Sequence, residues 1–209
     1  MTRRLPCVLA ALAALGCIRA EDRPTASDTR PDTVVYAQID TTGVQVPPGL
    51  AEFCGPGTAS LRQAGAPPPG ADDPGEPLSA TDLYRQKSSG LDQPVRCVVR
   101  RPEDWAALWA AIRRRSRESP PTPPPAVDFH TRMVLVAGMG PRPSTGYGIG
   151  ITEVRRTESG IVATVLRYTP GLCVLGMAVT EPVHAVSIPR ADAPVQFIEK
   201  VSYGPDCLR

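Results

Sequence analysis

Proline is spread unevenly along this chain, and its positions limit where long helices and strands can form. The sequence has 25 prolines in 209 residues, well above the usual frequency of about 5%. Many lie between Pro47 and Pro74, and a further series falls at 120–125. Because proline fixes φ and lacks a backbone N–H, these runs exclude long regular elements. We therefore expect a largely irregular first half and one folded core in the second.

The N-terminus has the pattern of a secretion signal. Arg3 and Arg4 form a positive start, and Leu5 to Gly16 form an apolar run that is short for a membrane span. Residues 1–16 are therefore predicted to be a signal peptide, so the mature protein is expected to be exported.

The motif Ala14-Leu15-Gly16-Cys17 resembles a bacterial lipobox. In such a motif the cysteine carries the lipid and becomes the first mature residue. This predicts a lipid on Cys17 that anchors the protein in the bacterial cell envelope, on the periplasmic or surface side. The alternative is cleavage nearer Ala20 by an ordinary signal peptidase, which would leave a soluble secreted or periplasmic protein.

The remaining cysteines form an even set in an oxidising compartment. Cys7 leaves with the signal, and the four disulfide candidates are Cys54, Cys97, Cys173 and Cys207. Two disulfides are expected, with three possible connectivities, and we favour Cys97 with Cys173 and Cys54 with Cys207. No CxxC or paired-histidine spacing occurs, so no metal site and no cofactor are predicted.

Charge argues against a nucleic-acid partner. Without Arg3 and Arg4, Lys+Arg falls from 23 to 21 and equals the 21 Asp+Glu. From Pro94 onward there are 15 bases and 10 acids, but no basic stripe interleaved with aromatic residues. This pattern is typical of a solvated surface or of a patch for an acidic protein partner.

One helix is well marked. Pro102 and two acids supply a helix start. Apolar residues then follow at positions i, i+3, i+4 and i+7, which gives one core-facing stripe. These residues are Trp105, Leu108, Trp109 and Ile112.

Short segments rich in β-branched residues surround this helix. Met133–Val136 is continuously apolar, as in a strand covered on both faces, and two segments resemble a hairpin that turns at Glu158-Ser159-Gly160. The predicted strands are Thr33–Ile39, Arg96–Arg100, Met133–Val136, Ile149–Val154, Ile161–Tyr168, Val174–Thr180, Val183–Ile188 and Val195–Tyr203.

These elements predict an α+β fold. It would be a mainly antiparallel sheet, sandwich-like or curled, with one amphipathic helix and an extended Pro-rich region before it. The expected domain bounds are a lipid-anchored, largely irregular tether at 17–93 and a folded domain at 94–209.

The segment between two of the predicted strands is the main candidate for function. It contains Arg142, Pro143, Ser144, Thr145, Gly146 and Tyr147. Prolines restrict φ here, and Gly146 and Gly148 permit positive φ. A loop shaped in advance loses little entropy on docking, so it suits insertion into a partner's cleft. The alternative is an ordinary tight connection between strands.

Catalysis has little support in the sequence. His130 and His184 are the two histidines, and neither lies in a zinc-binding pattern. No nucleophile elbow is present, and His184 alternates with strand residues in the manner of a structural side chain. We therefore predict no catalytic residues and a protein that is not an enzyme.

Six motifs follow one another in a characteristic order: Trp105–Trp109, Val127–Phe129, Met133–Val136, Arg142–Tyr147, Thr169–Gly171 and Val179–Pro182. This order resembles the PrcB C-terminal domain family. The resemblance covers Pro94 to Lys200 and implies an accessory lipoprotein subunit of a surface protease complex, which assists the assembly or stability of the protease. The family loop usually reads Pro-Thr-Gly-Gly-Tyr, and Thr145 here replaces its first glycine.

The sequence is compatible with three functions. The first is a non-catalytic, envelope-anchored accessory protein that binds and assists a protein partner, with a protease as the candidate. The second is a protease inhibitor, because Pro143–Tyr147 is also similar to the Asn-Pro-Thr-Thr-Gly loop of chagasin-type inhibitors. The third is a small-molecule or cell-wall binding module that uses the ring of Tyr147 and the tryptophan pair of the helix.

Overall fold

The computed structural model describes residue 50 and residues 53–56, 74–116, 120–170 and 176–204. Two mostly antiparallel sheets and one helix confirm the predicted α+β class. In chain order the elements of this part are β1 (Cys54–Pro56), β2 (Glu76–Pro77), β3 (Thr81–Gln86), β4 (Pro94–Val99), α1 (Pro102–Arg113), β5 (Arg132–Met139), β6 (Gly148–Thr157), β7 (Gly160–Thr169), β8 (Val183–Pro189) and β9 (Val195–Tyr203).

The strands form two sheets. The first has the order β1-β4-β5-β8-β3, and the second has the order β2-β6-β7-β9. The pairs are antiparallel except that β7 and β9 are parallel. This exception arises because β8, which lies between them in sequence, belongs to the first sheet, so the chain crosses over and returns in the direction of β7.

Strand β5 occupies the centre of the first sheet and is covered on both faces. Val134 and Val136 belong to the core beneath α1, whereas Met133 and Leu135 belong to the core between the two sheets. Because successive side chains of a strand point to opposite faces, both sets must be apolar. This confirms the prediction made from the continuous apolar run.

The helix packs its apolar stripe on the first sheet. All four predicted residues of that stripe are buried. The indole N–H groups of Trp105 and Trp109 donate to the carbonyls of Pro125 and Thr122 at 2.9 and 2.8 Å. Both tryptophans are therefore core residues, which confirms the predicted core-facing stripe. They present almost no surface to a ligand, which argues against their use in the third candidate function.

A buried ion cluster joins the two sheets. The carboxylate of Glu199 on β9 accepts hydrogen bonds from Arg96 on β4 and from Arg167 on β7. The side chains of Arg96 and Glu199 are each only 3% exposed, and Arg96 also donates to the carbonyl of Gly138 at 2.8 Å. Burial lowers the pKa of Arg96, although the charge of Glu199 opposes this shift.

The structure places more of the N-terminal half in the fold than the sequence predicts. Strands β1, β2 and β3 precede residue 94, the predicted start of the domain, and each pairs within one of the two sheets. The predicted strand Thr33–Ile39 lies outside the described residues. Of the predicted strand Val174–Thr180, residues 176–179 are irregular and Thr180 makes a single bridge to Arg142.

The disulfide also differs from the favoured connectivity. Cys54 is bonded to Cys97, so the pairings of Cys97 with Cys173 and of Cys54 with Cys207 are wrong. The reason is register, because Cys54 on β1 lies directly opposite Cys97 on β4 in an antiparallel pair. Cys17, Cys173 and Cys207 lie outside the described residues.

Candidate functional site

The predicted loop connects β5 to β6 at one end of the sheet pair. The backbone turns at Gly140, whose φ of 65° is in the left-handed region. Gly146 and Gly148 do not have positive φ, so the expectation that these two glycines supply it is wrong. The turn is made at the start of the loop because the chain must leave β5 beside Pro94, which closely borders Gly140.

A second segment braces the loop through its backbone. Arg142 and Thr180 exchange two backbone hydrogen bonds of 2.7 and 2.9 Å, and Thr145 N–H donates to the carbonyl of Gly176 at 3.1 Å. The hydroxyl of Thr180 donates to the carbonyl of Ser144 at 2.8 Å. The loop and residues 176–180 therefore form one joined unit.

The end of β3 supplies a third contact. Lys87 follows that strand, and its Nζ donates to the carbonyl of Thr145 at 3.2 Å. The carbonyl of Lys87 in turn accepts from the backbone N–H of Glu181 at 3.0 Å. Both carbonyls at the loop's centre, those of Ser144 and Thr145, are thus engaged within the fold.

The six predicted loop residues differ in how much they present to solvent. Pro143 is exposed, and the other five are half-buried. Tyr147 packs against the core between the sheets. Arg142 donates to the carbonyl of Met139 at 2.9 Å, and burial together with the nearby charge of Arg167 lowers its pKa. The loop's anchoring residues therefore face inward.

Exposed apolar side chains lie on the neighbouring segments instead. On the bracing segment, Met177 is 93% exposed and Val179 is 64% exposed. On β7, Tyr168 and Leu166 are 40% and 36% exposed. We use the term loop-end surface for these four residues together with Pro143.

A groove of about 390 Å³ opens beside this surface. Gly148 and Gly150 of β6 lie opposite Tyr168 and Leu166 of β7 in the second sheet. The groove runs between these residues and the end of β3. Its lining residues are Arg85, Gln86, Lys87, Gly148, Ile149, Gly150, Thr152, Leu166, Tyr168 and Pro182.

His184 lies just behind the groove and is fully buried. Its Nδ1 accepts the backbone N–H of Ile151 at 2.8 Å, at a bulge in β6. The neutral ring therefore carries its proton on Nε2, which lies 2.9 Å from a carboxylate oxygen of Asp82. Burial lowers the pKa of His184, and Arg85 lowers it further, while Asp82 opposes both effects. With both ring nitrogens engaged, His184 serves to join the sheets.

His130 is exposed, and its backbone N–H donates to Asp128 at 3.0 Å. Among the described residues, no group of three or more His, Cys, Asp or Glu is placed to hold a metal ion. The helix found in those ranges is too short and too polar to cross a membrane.

Sequence reasoning found the loop but missed most of its surroundings. The bracing segment, the exposed side chains and the groove depend on which strands are neighbours and in what register. Glycines at alternate positions of β6, Gly148 and Gly150, are the one local signal, because glycine inside a strand often marks close approach by another group.

Comparison with known proteins identifies a family match for part of the chain. No curated protein and no solved structure matches the chain significantly. The family described as PrcB C-terminal matches residues 133–189, a segment that runs from β5 to the end of β8 and includes the whole loop. The resemblance predicted from the sequence is confirmed: the chain carries a PrcB C-terminal match at residues 133–189.

Proposed function

We propose that this chain is a non-catalytic accessory protein of the bacterial cell envelope that binds a protein partner and assists or stabilises it. The resemblance to the PrcB family makes a secreted or surface protease the candidate partner. We further propose that a lipid on Cys17 anchors the protein to the membrane.

The observation that carries this proposal is the braced loop with its exposed apolar neighbours. Met177 and Val179 project from a segment whose backbone is tied to the loop. A segment held in this way loses little conformational entropy when a partner covers it. Exposed apolar side chains gathered in one region are typical of protein interaction sites.

The inhibitor function remains the alternative, and the contacts of the loop favour docking over it. A wedge that fills a protease cleft needs free backbone groups to bond the enzyme. Here the carbonyls of Ser144 and Thr145 already accept from Thr180 and Lys87. The loop is therefore better suited to support a surface than to insert alone.

The test is capture of partners by crosslinking in intact envelopes. Tagged full-length protein is compared with Met177→Asp, which places a charge on the exposed surface without touching the core. Ala107→Asp, on the exposed face of α1, is the matched control. We expect a partner that is captured by the wild type and the control and lost with Met177→Asp.

Activity of the captured partner then separates the two functions. If the partner is a protease, a longer active lifetime in the presence of this chain supports the accessory role. A concentration-dependent loss of its activity supports the inhibitor role. Specific capture of no protein by the wild type would contradict the proposal as a whole.

The membrane anchor is tested separately. Metabolic labelling with a fatty acid should mark the wild type but not Cys17→Ser. A labelled Cys17→Ser variant, or an unlabelled wild type found free in the medium, would reject the anchor.

A further inference from the structure

The floor of the groove is made by two glycines that the backbone does not require. Neither Gly148 nor Gly150 has a positive φ, so an L side chain could adopt the same conformation. A Cβ at Gly148 would lie 3.6 Å from the Cβ of Tyr168, an ordinary contact. Above Gly148 the lack of a side chain leaves space over the sheet. Above Gly150, which is buried, the guanidinium of Arg85 lies where it would be 3.4 Å from a Cβ. Glycine at these positions thus lets another group approach the strand closely.

One wall of the groove is apolar and only partly covered. Tyr168 and Leu166 point away from the core between the sheets and leave about two fifths of each side chain in solvent. Covering apolar surface of this kind stabilises a complex in proportion to the area removed from water. The groove is thus shaped to receive one large apolar side chain.

The other wall is cationic. Arg85 and Lys87 line the groove, and no acidic residue occurs among its described lining residues. Lys87 donates to a neutral carbonyl. Arg85 forms an exposed pair with Asp82 at 3.8 Å, and its guanidinium also lies 3.1 Å from Nε2 of His184. The positive potential of this wall favours a negatively charged occupant.

We propose that this groove binds an extended acidic segment of the partner protein, with one aromatic or large aliphatic side chain of that segment lying over Gly148, beside the guanidinium of Arg85. The proposal rests on the proposed function, because the segment belongs to the partner that the loop-end surface docks. A volume of about 390 Å³ is in the range of small ligand sites and suits one large side chain with its flanking backbone.

Fluorescence anisotropy with the full-length protein in detergent tests this directly. The probe is a dye-labelled peptide, Gly-Asp-Glu-Phe-Asp-Gly, and the comparison peptides replace its Phe by Ala or its acids by Lys. We expect saturable binding of the probe, with affinity about 10-fold lower for the Ala peptide because the apolar contact is lost. The Lys peptide should not bind measurably, and binding of the probe should weaken as salt is raised.

Three variants and one control locate the peptide in the groove. Gly148→Val adds a β-branched side chain that suits a strand and fills the floor, and it should weaken probe binding about 10-fold. Gly148→Ala should have an intermediate effect. Lys87→Glu should weaken binding about 3-fold to 10-fold, whereas Arg156→Glu, an exposed charge reversal near the far end of β6, should leave it unchanged.

Thermal melting shows whether a variant that binds the probe weakly is still folded. Each variant should melt within a few degrees of the wild type, because the substitutions lie in open space or on the surface. Equal binding by the wild type and a folded Gly148→Val variant overturns the proposal. So does the absence of saturable binding at about 1 mM probe, the weak end of measurable affinity.

Comparison with the capture experiment separates this proposal from the proposed function. If Met177→Asp abolishes capture while Gly148→Val leaves it intact, the partner docks but the groove is not its site. If the wild type captures no protein yet binds a small molecule or a second copy of itself in a manner blocked by Gly148→Val, the acidic-peptide proposal is overturned together with the proposed function.

Discussion

The two faces of the first sheet are both buried, yet they are held in different ways. The face beneath α1 is filled by apolar residues such as Leu108 and Trp109. The face toward the second sheet is also mostly apolar, but it contains the Arg96–Glu199 pair and His184. Stability beneath the helix depends on filling volume, whereas between the sheets it also depends on keeping buried polar groups paired.

The largest effect should come from breaking the buried ion cluster. Glu199→Gln removes the carboxylate that pairs with both Arg96 and Arg167, and among the described residues these two buried cations then lose their ion-pair partner. We expect the free energy of unfolding to fall by about 3–5 kcal/mol. Urea denaturation at neutral pH, read by circular dichroism, measures this.

A surface pair supplies the control for that result. Asp92 pairs with Arg114 and Arg115, and these side chains are about half exposed. Asp92→Asn should cost less than about 1 kcal/mol, because exposed pairs are screened by water. Equal costs for Glu199→Gln and Asp92→Asn would show that pairing does not set the stability of the face between the sheets.

The helix face should respond to lost volume. Leu108 is completely buried, so Leu108→Ala leaves a cavity and should lower the free energy of unfolding by about 3 kcal/mol. Leu166→Ala, at a partly exposed position, should cost about 1 kcal/mol or less. Similar losses at both sites in urea denaturation would mean that the space beneath α1 collapses, and the contrast between the faces would weaken.

The same contrast explains what the sequence could predict. The apolar stripe of α1 could be predicted because its residues repeat at helical spacing. The burial of β5 on both faces could be predicted because its sequence is continuously apolar. Both signals are local. The bond from Arg96 to Glu199 joins residues 103 positions apart, and no local pattern links them.

The same distinction between local and long-range signals applies to the candidate site. Its loop was visible from its prolines and glycines. The bracing by Thr180 and the wall formed by Tyr168 depend on tertiary contacts and on strand register. The pairing of Cys54 with Cys97 also depends on register, since β1 is only three residues long and has no pattern of its own. Local sequence patterns therefore predicted the loop, whereas the surface around the loop depends on the strand topology.

The loop offers a smaller test of where its backbone is constrained. Gly140→Ala places a Cβ at a φ of 65° and 2.8 Å from the backbone carbon of Gln93. We expect a cost of about 1–2 kcal/mol from the left-handed conformation, with crowding in addition. Gly146→Ala is the matched control and should cost clearly less, because Gly146 does not have positive φ. Thermal melting of both variants that ranks Gly146→Ala as the more damaging would contradict this placement of the turn.

The smallest effect concerns His184 and appears only in acid. Burial and Arg85 hold its folded-state pKa below the ordinary value, which is about 6.5. Above that value the ring is neutral in both the folded and the unfolded chain. Below it, the unfolded chain takes up a proton that the folded chain does not, so the free energy of unfolding falls until the pH reaches the folded-state pKa.

His184→Asn removes this titration while offering an oxygen that can accept the N–H of Ile151 in place of Nδ1. The difference in unfolding free energy between wild type and variant should therefore be constant above about pH 6.5 and should shrink as the pH falls below it. Taking the difference cancels the titration of the groups that both proteins share. A difference that stays constant through this pH range would mean that the ring takes up a proton as easily in the folded chain as in the unfolded chain. In that case the face between the sheets would tolerate a buried charge at His184, and the contrast with the mainly apolar face beneath α1 would rest on the Arg96–Glu199 cluster alone.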